Sequence, residues 1–337
     1  MTRTVVVKIG TSSITDDEGA VVWTAVENLC AEVARLRRQG DRAVIVSSGA
    51  IAAGLPELGL GGSRRPTDVT TLQAVATVGQ GVLMSAYRRA LADRGLVAGQ
   101  VLLVPYDFVL RHQYLHARST LRRLLDLGVV PVVNENDAIA DDEIRYGDND
   151  RLAALLANLV GADLLVLLTD TDGVLTADPR LDPGARLIEE IHEIDERVAS
   201  VAGGAGSRRG SGGMASKLTA ARIAAWSGIP TVIARASVPG VVGRAVAGEA
   251  VGTYVHPRPV GLSARRLWIA FAVEAAGRVV TDAGARAALE RGRSLLTAGV
   301  RGVEGDFVAG DAVDLVDEEG EIYGKGLARP AAEELRR

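Results

Sequence analysis

A single cysteine, Cys30, stands in 337 residues, so no disulfide framework can form and no thiol nucleophile is signalled. Its setting, "AVENLCAEVARLRRQG", has helical periodicity, which makes Cys30 a small core residue. No apolar run reaches the roughly 18 residues of a membrane span, and the apolar part of the opening "MTRTVVVKIG" is too short and too early for a secretory signal. These lacks predict a soluble, cytoplasmic chain. The net charge of -4 and pI near 5.7 provide no global field to draw in nucleic acid. The dinucleotide fingerprint G-x-G-x-x-G is missing, which disfavours a nicotinamide enzyme. Lysine is scarce: Lys8, Lys217 and Lys325 stand against thirty-five arginines. Where surface cations are written as Arg, each Lys invites a reason. Two of the three lie in loop-like, glycine-containing stretches, "KIGTSS" after a strand and "GSGGMASK" before a helix, and a compact ammonium suits a phosphate oxygen.

What is present reads as two domains. With 47% hydrophobic residues and a mean hydropathy of +0.17, the chain can bury a substantial core. The runs "TVVVKIG", "AVIVSSG", "GQVLLVP", "VVPVVN", "DLLVLLTD" and "PTVIA" alternate with segments of helical periodicity. Their continuous hydrophobicity means that both sheet faces are covered, as in a mainly parallel α/β sheet between helical layers, an α-β-α sandwich. Gly40, Gly95, Gly128, Gly161 and Gly228 follow helical segments as left-handed caps. The pattern stops near Pro257, which sets a first domain at 1–257 and a linker at 258–270. Residues 271–337 then read as a small, mostly-β module. From Leu262 onward eleven basic residues face thirteen acidic ones, which argues against a nucleic-acid footprint.

Ligands of open parallel sheets sit beyond the carboxyl ends of the strands. Those ends are polar or glycine-rich: "KIGTSS", "SSGA", "NENDAIADDEIRYGDND" and "LLTDTDG", with "GSGGMASK" entering a helix. The last favours an anion through bare N–H groups and the helix dipole, and Lys217 adds a full charge; it is not a Walker A loop, because Ala215 replaces a glycine. Lys8 closes the first strand, followed by Gly10, Thr11, Ser12 and Ser13 as further donors. The acidic stretch holds seven carboxylates and three carboxamides between residues 134 and 150, which suits an ammonium ligand or a magnesium ion carried by a nucleotide. Asp141, Asp142 and Glu143 sit mid-loop. Asn134 and Asp137 follow a strand directly, while Asp148, Asn149 and Asp150 open the helix "RLAALLANLV", where Asp148 or Asn149 would also serve as a plain N-cap. Arg145 excludes an EF-hand loop. The four histidines, His112, His116, His192 and His256, fall outside every motif and read as structural.

Taken together, "VVVKIGTSS", "VIVSSGAIAAG", "ATVGQ", "PVVNENDAIADDEIRYGDND", "LLVLLTDTDGVLTADPR" and "GSGGMASKLTAARIAAWSGI" resemble, in order, the glutamate 5-kinases of the amino acid kinase superfamily. "VTDAGARAAL", "SLLTAGV" and "GDFVAGDAVDLVD" resemble the PUA module that many members carry, here expected to be shortened. The resemblance implies ATP- and magnesium-dependent phosphorylation of the γ-carboxylate of L-glutamate, the first step of proline synthesis. It assigns Lys8, Lys217 and Asp150 to catalysis. Lys8, Gly10, Thr169, Asp170 and Ser211, Gly212, Gly213, Met214, Ala215, Ser216 and Lys217 would bind ATP, and no residue is assigned as a metal ligand. Ser48, Gly49, Ala50, Asn134, Asp137, Asp148 and Asn149 would hold glutamate. It also implies a homo-oligomer, a dimer or tetramer, and L-proline as feedback inhibitor. N-acetylglutamate kinase and aspartokinase share the lysines and the glycine loop, but an acylated amine has no use for so acidic a receptor.

Overall fold

The apolar runs become six strands of an eight-stranded sheet, five inner ones and one edge strand, in the computed structural model, which describes residues 2–61, 65–108, 110–139, 149–179, 182–195, 198, 213–259 and 275–336. The chain divides into two units, residues 1–264 and 265–337. The expected linker at 258–270 lies largely outside the described residues. In the first unit the order is β1 (Thr4–Ile9), α1 (Thr11–Ile14), α2 (Trp23–Arg38), β2 (Arg42–Ser47), α3 (Ala50–Glu57), α4 (Val69–Ala92), β3 (Ala98–Leu103) and α5 (Arg111–Asp126). There follow β4 (Val130–Glu135), α6 (Asn149–Val160), β5 (Leu164–Thr169), β6 (Glu190–Ile191), α7 (Met214–Trp226), β7 (Thr231–Arg235), α8 (Val241–Val246) and β8 (Thr253–Val255). The strands lie in the order β3-β4-β2-β1-β5-β7-β8-β6, and every neighbouring pair is parallel except β7–β8.

Strand alternation decides what β1 offers each layer. Val5, Val7 and Ile9 enter one core with Val26, Leu29 and Val33 of α2 and Leu83, Tyr87 and Leu91 of α4. Val6 and Lys8 therefore face the other layer, where α6 packs on β1. Cys30 is fully buried in the first core, and burial pushes its thiol up to about 12, which leaves it unreactive. The five glycine caps predicted from sequence all have positive φ, from +69° at Gly161 to +88° at Gly40.

The backbones of α3 and α4 approach closely at two glycines. A Cβ on Gly79 would lie 1.8 Å from the carbonyl oxygen of Ala50, and one on Gly54 would lie 2.2 Å from that of Val75. The two helices touch main chain to main chain, and this fixes the height of α4 over the β2–α3 turn.

The second unit runs β9 (Gly277–Thr281), α9 (Ala283–Glu290), β10 (Val300–Glu304), β11 (Ala312–Val316), β12 (Ile322–Leu327) and α10 (Ala332–Leu335). Its sheet, β10-β9-β11-β12, is antiparallel except for β9–β11, and Val279, Phe307, Val313 and Ala332 form its core. Asp282 caps α9 by accepting from the Ala285 N–H at 2.8 Å. No helix of the described residues is long and apolar enough to cross a membrane.

Gly79→Ala should destabilise the fold by about 3 kcal/mol in urea titration, because backbone rather than a flexible side chain must give way. Gly81→Ala on the same helix, where an added Cβ meets nothing within 4 Å, should be neutral or stabilising by up to about 1 kcal/mol.

Candidate active site

Asp150 sits in the first turn of α6 with its side chain fully buried, and both its oxygens meet an ammonium. Oδ1 lies 2.6 Å from Lys8 Nζ and Oδ2 lies 3.0 Å from Lys217 Nζ. The three charges come from three elements that packing forces together: Lys8 through the alternation of β1, Asp150 from the helix resting on that face, and Lys217 from the first turn of α7, which packs against α6. The Ser216 hydroxyl also donates to Oδ2 at 3.3 Å. Burial alone would raise the Asp150 carboxyl; the two ammonium groups outweigh it and hold the group well below the usual carboxylate range. Among the described residues one carboxylate stands against these two lysines, a net positive charge in a site where Lys8 is 3% and Lys217 is 5% exposed. Such a charge is costly to keep out of water without an anion beside it. Gly10 keeps the space beside Lys8 open, since a Cβ there would lie 3.7 Å from Nζ.

A floor of carboxamides adjoins this triad at the ends of β2 and β4. Asn134 donates to Gln80 Oε1 at 2.8 Å, and its own Oδ1 accepts from the Glu135 N–H at 2.9 Å and from Asn149 Nδ2 at 2.7 Å. Asn149 Nδ2 also reaches the Ser47 carbonyl at 2.8 Å and Ser48 Oγ at 3.1 Å. Asn149 Oδ1 is buried with no donor among the described residues. Gly49, at φ +102°, turns the chain into α3 ahead of Ala50. Asp137 is half-buried, no cation pairs with it among the described residues, and burial pushes its carboxyl up to about 6.

On the other side of β1, Thr169 ends β5 and donates to Asp170 Oδ1 at 3.1 Å. Arg235 holds the following turn through the Asp170 carbonyl and Asp172, each at 2.6 Å. Gly213 is the N-cap of α7, with Met214, Ala215, Ser216 and Lys217 in its first turn. Asp148, Ser211 and Gly212, expected in the site, lie outside the described residues, as do Asp141, Asp142 and Glu143. Sequence reasoning missed Gln80, Ser47 and Tyr87. Gln80 orients Asn134, and the buried Ser47 hydroxyl shares a 3.0 Å hydrogen bond with Tyr87 OH. The available signal was Gln80 itself, the polar residue that ends the quoted "ATVGQ" on the inward face of α4.

The amino acid kinase family model matches residues 3–235 and a PUA domain model matches residues 277–337. A glutamate 5-kinase of Bifidobacterium adolescentis is 50% identical over 99% of this chain and 87% of its own length. Those of Synechococcus elongatus and Pelobacter propionicus are 45% and 43% identical, over 92% and 90% of their lengths. The chain belongs to the amino acid kinase family, among the glutamate 5-kinases. Family membership accounts for the mainly parallel sheet and the separate small β unit. A solved structure of isopentenyl phosphate kinase shares the fold, with a TM-score of 0.53 and 22% identity over 75% of this chain.

Asp150→Asn leaves two buried ammonium groups without a counter-charge and should cost about 3–5 kcal/mol in urea titration. The wild-type carboxyl titrates below its unfolded value near 4, so its stabilisation is complete above that pH and is lost as pH falls through the folded value. Acidification below about pH 4 should therefore narrow the stability gap between wild type and Asp150→Asn.

Proposed function

We propose that the Lys8–Asp150–Lys217 triad carries phosphoryl transfer from ATP to the γ-carboxylate of L-glutamate, giving L-glutamyl 5-phosphate at the head of proline biosynthesis. The supporting observation is the buried carboxylate bridging two buried lysines, whose second positive charge meets no further carboxylate among the described residues. The reaction brings two anions together and passes through a loose transition state whose charge spreads over three phosphoryl oxygens. Positioning and charge neutralisation are the work required, and lysines approaching from β1 and α7 supply both. Asp150 is a positioning residue: it holds the two ammonium groups apart at a set distance. No general base is needed, because a carboxylate nucleophile is already ionised at neutral pH.

In this reading the turn from Gly213 to Lys217, with Thr169, Asp170, Gly10 and the sequence-assigned Ser211 and Gly212, takes the nucleotide. Ser48, Gly49, Ala50, Asn134, Asn149 and the sequence-assigned Asp148 take the amino acid. Asp137 receives the α-ammonium, which supplies the counter-charge that Asp137 lacks among the described residues, and Asn149 Oδ1 offers a second acceptor. The described residues make no cage for magnesium, since Asp150 is engaged by two lysines. The ion belongs with the phosphates of the nucleotide. Inhibition by L-proline, assembly as a dimer or tetramer and a cytoplasmic setting belong to the same proposal and rest on family resemblance.

The direct test is a hydroxylamine trap with ATP, magnesium and L-glutamate, beside N-acetyl-L-glutamate and L-aspartate. Hydroxamate from glutamate alone is expected; signal only from another acid would overturn the free-amine receptor. Asp137→Ala should raise the KM for glutamate far more than that for ATP. Because the free enzyme must ionise Asp137 before it binds the ammonium, the KM for glutamate should fall as pH rises through about 6. Asp137→Asn should flatten that dependence.

A further inference from the structure

Two of the four histidines meet at the far edge of the main sheet. β6 and β8 pair in parallel, with Glu190 opposite Tyr254 and Ile191 opposite Val255, and the His256 N–H continues the ladder to the Ile191 carbonyl at 2.9 Å. Alternation along both strands then puts Glu190 and His192 on the same face as Tyr254 and His256. His256 Nε2 lies 2.9 Å from Glu190 Oε2, His192 Nε2 lies 3.7 Å from the same oxygen, and all three ligand atoms fall within 4.8 Å of one another. Tyr254 meets His256 edge-on at 4.8 Å between centroids; the two imidazoles stack at 4.0 Å, and the exposed His192 ring has to turn out of that stack for both Nε2 lone pairs to converge on one ion.

We propose that Glu190, His192 and His256 form a binding site for a divalent first-row transition metal of the zinc class. Ligand atoms around a tetrahedral zinc lie about 3.3 Å apart, given bonds of about 2.0–2.1 Å, and the observed separations of 2.9 and 3.7 Å bracket that value. Two imidazoles and one carboxylate are a donor set suited to such ions rather than to magnesium or calcium, which prefer oxygen. The cation replaces the proton that the His256–Glu190 contact otherwise requires. Glu193 is engaged by Arg258, whose guanidinium lies over the Trp226 ring at 3.9 Å, so the fourth position is left to water. Among the described residues this is the one group of three such ligands. His112 and His116, with Nε2 atoms 3.1 Å apart on α5, offer only two.

The site is separate from the phosphoryl-transfer chemistry. β8 runs antiparallel to β7, so Val255 pairs with Thr231 at the amino end of β7, the rim opposite Lys8. The ion would clasp the two-residue edge strand β6 to β8.

The test uses tag-free, chelator-treated and desalted full-length protein titrated with ZnCl2 against a chromophoric chelator, with thermal melts in parallel. One zinc per chain and a rise in Tm are expected for wild type and for the His112→Ala/His116→Ala double variant. His256→Ala and Glu190→Gln should each weaken binding by roughly 100-fold and abolish the rise in Tm, while keeping the wild-type hydroxamate rate and far-UV spectrum. Zinc binding that survives in His256→Ala, or that disappears in the α5 double variant instead, overturns the assignment. So does the absence of binding to a wild-type protein that still turns over.

Discussion

The bridge from Asp150 to two lysines is the contact on which the first unit's chemistry depends. A fully buried carboxylate is unfavourable by itself, and so is each buried ammonium. Each becomes tolerable only because β1, α6 and α7 deliver all three to one point. Among the described residues the usual logic of a buried ion pair is thus left one negative charge short. In the proposed reaction a phosphoryl group supplies that charge, so the cost of burial is directed at the ligand. The carboxamide floor works in the opposite sense. Its carboxamides are neutral and bonded to one another, and in the proposed reading they give the acceptor substrate a shaped surface while the charge is kept for the donor.

Much of this was legible in the sequence, for identifiable reasons. Strands buried on both faces read as unbroken β-branched runs: the six quoted runs are β1 to β5 and β7, and all but the edge strand β3 are buried along nearly their whole length. β6 and β8 escaped because two and three residues are too short to show a period. Lys8 and Lys217 stood out through scarcity alone. Asp150 read as one acid among seven, and its distinction is three-dimensional: it is the acid that opens a helix laid across the Lys8 face of β1. Gln80, Ser47 and Tyr87 were hidden because their roles are relayed through other side chains, and no local spacing records a relay. The histidines lay outside every motif; strand pairing brings His192 and His256 together across a long stretch of chain.

Electrostatics also explains the division of labour between the two acids that matter most. Asp150 and Asp137 are both removed from water to a large degree, yet burial lifts one and neighbours depress the other. Asp150 remains charged as fixed scaffolding. Asp137 sits near the edge of ionisation and responds to what arrives. The same side chain thus serves as structure in one place and, in the proposed reading, as a receptor in another, and the surrounding elements decide which.

The main-chain contact between α3 and α4 has a consequence for how the acceptor pocket can diversify. Gly54 and Gly79 leave no side-chain layer between the helices, so no conservative swap can slide α4 nearer to or farther from the β2–α3 turn. Gln80, one residue along, inherits that immobility and passes it to Asn134. A change of acceptor in this scaffold must therefore come from replacing the groups on the floor, because the floor itself has a height that the backbone sets.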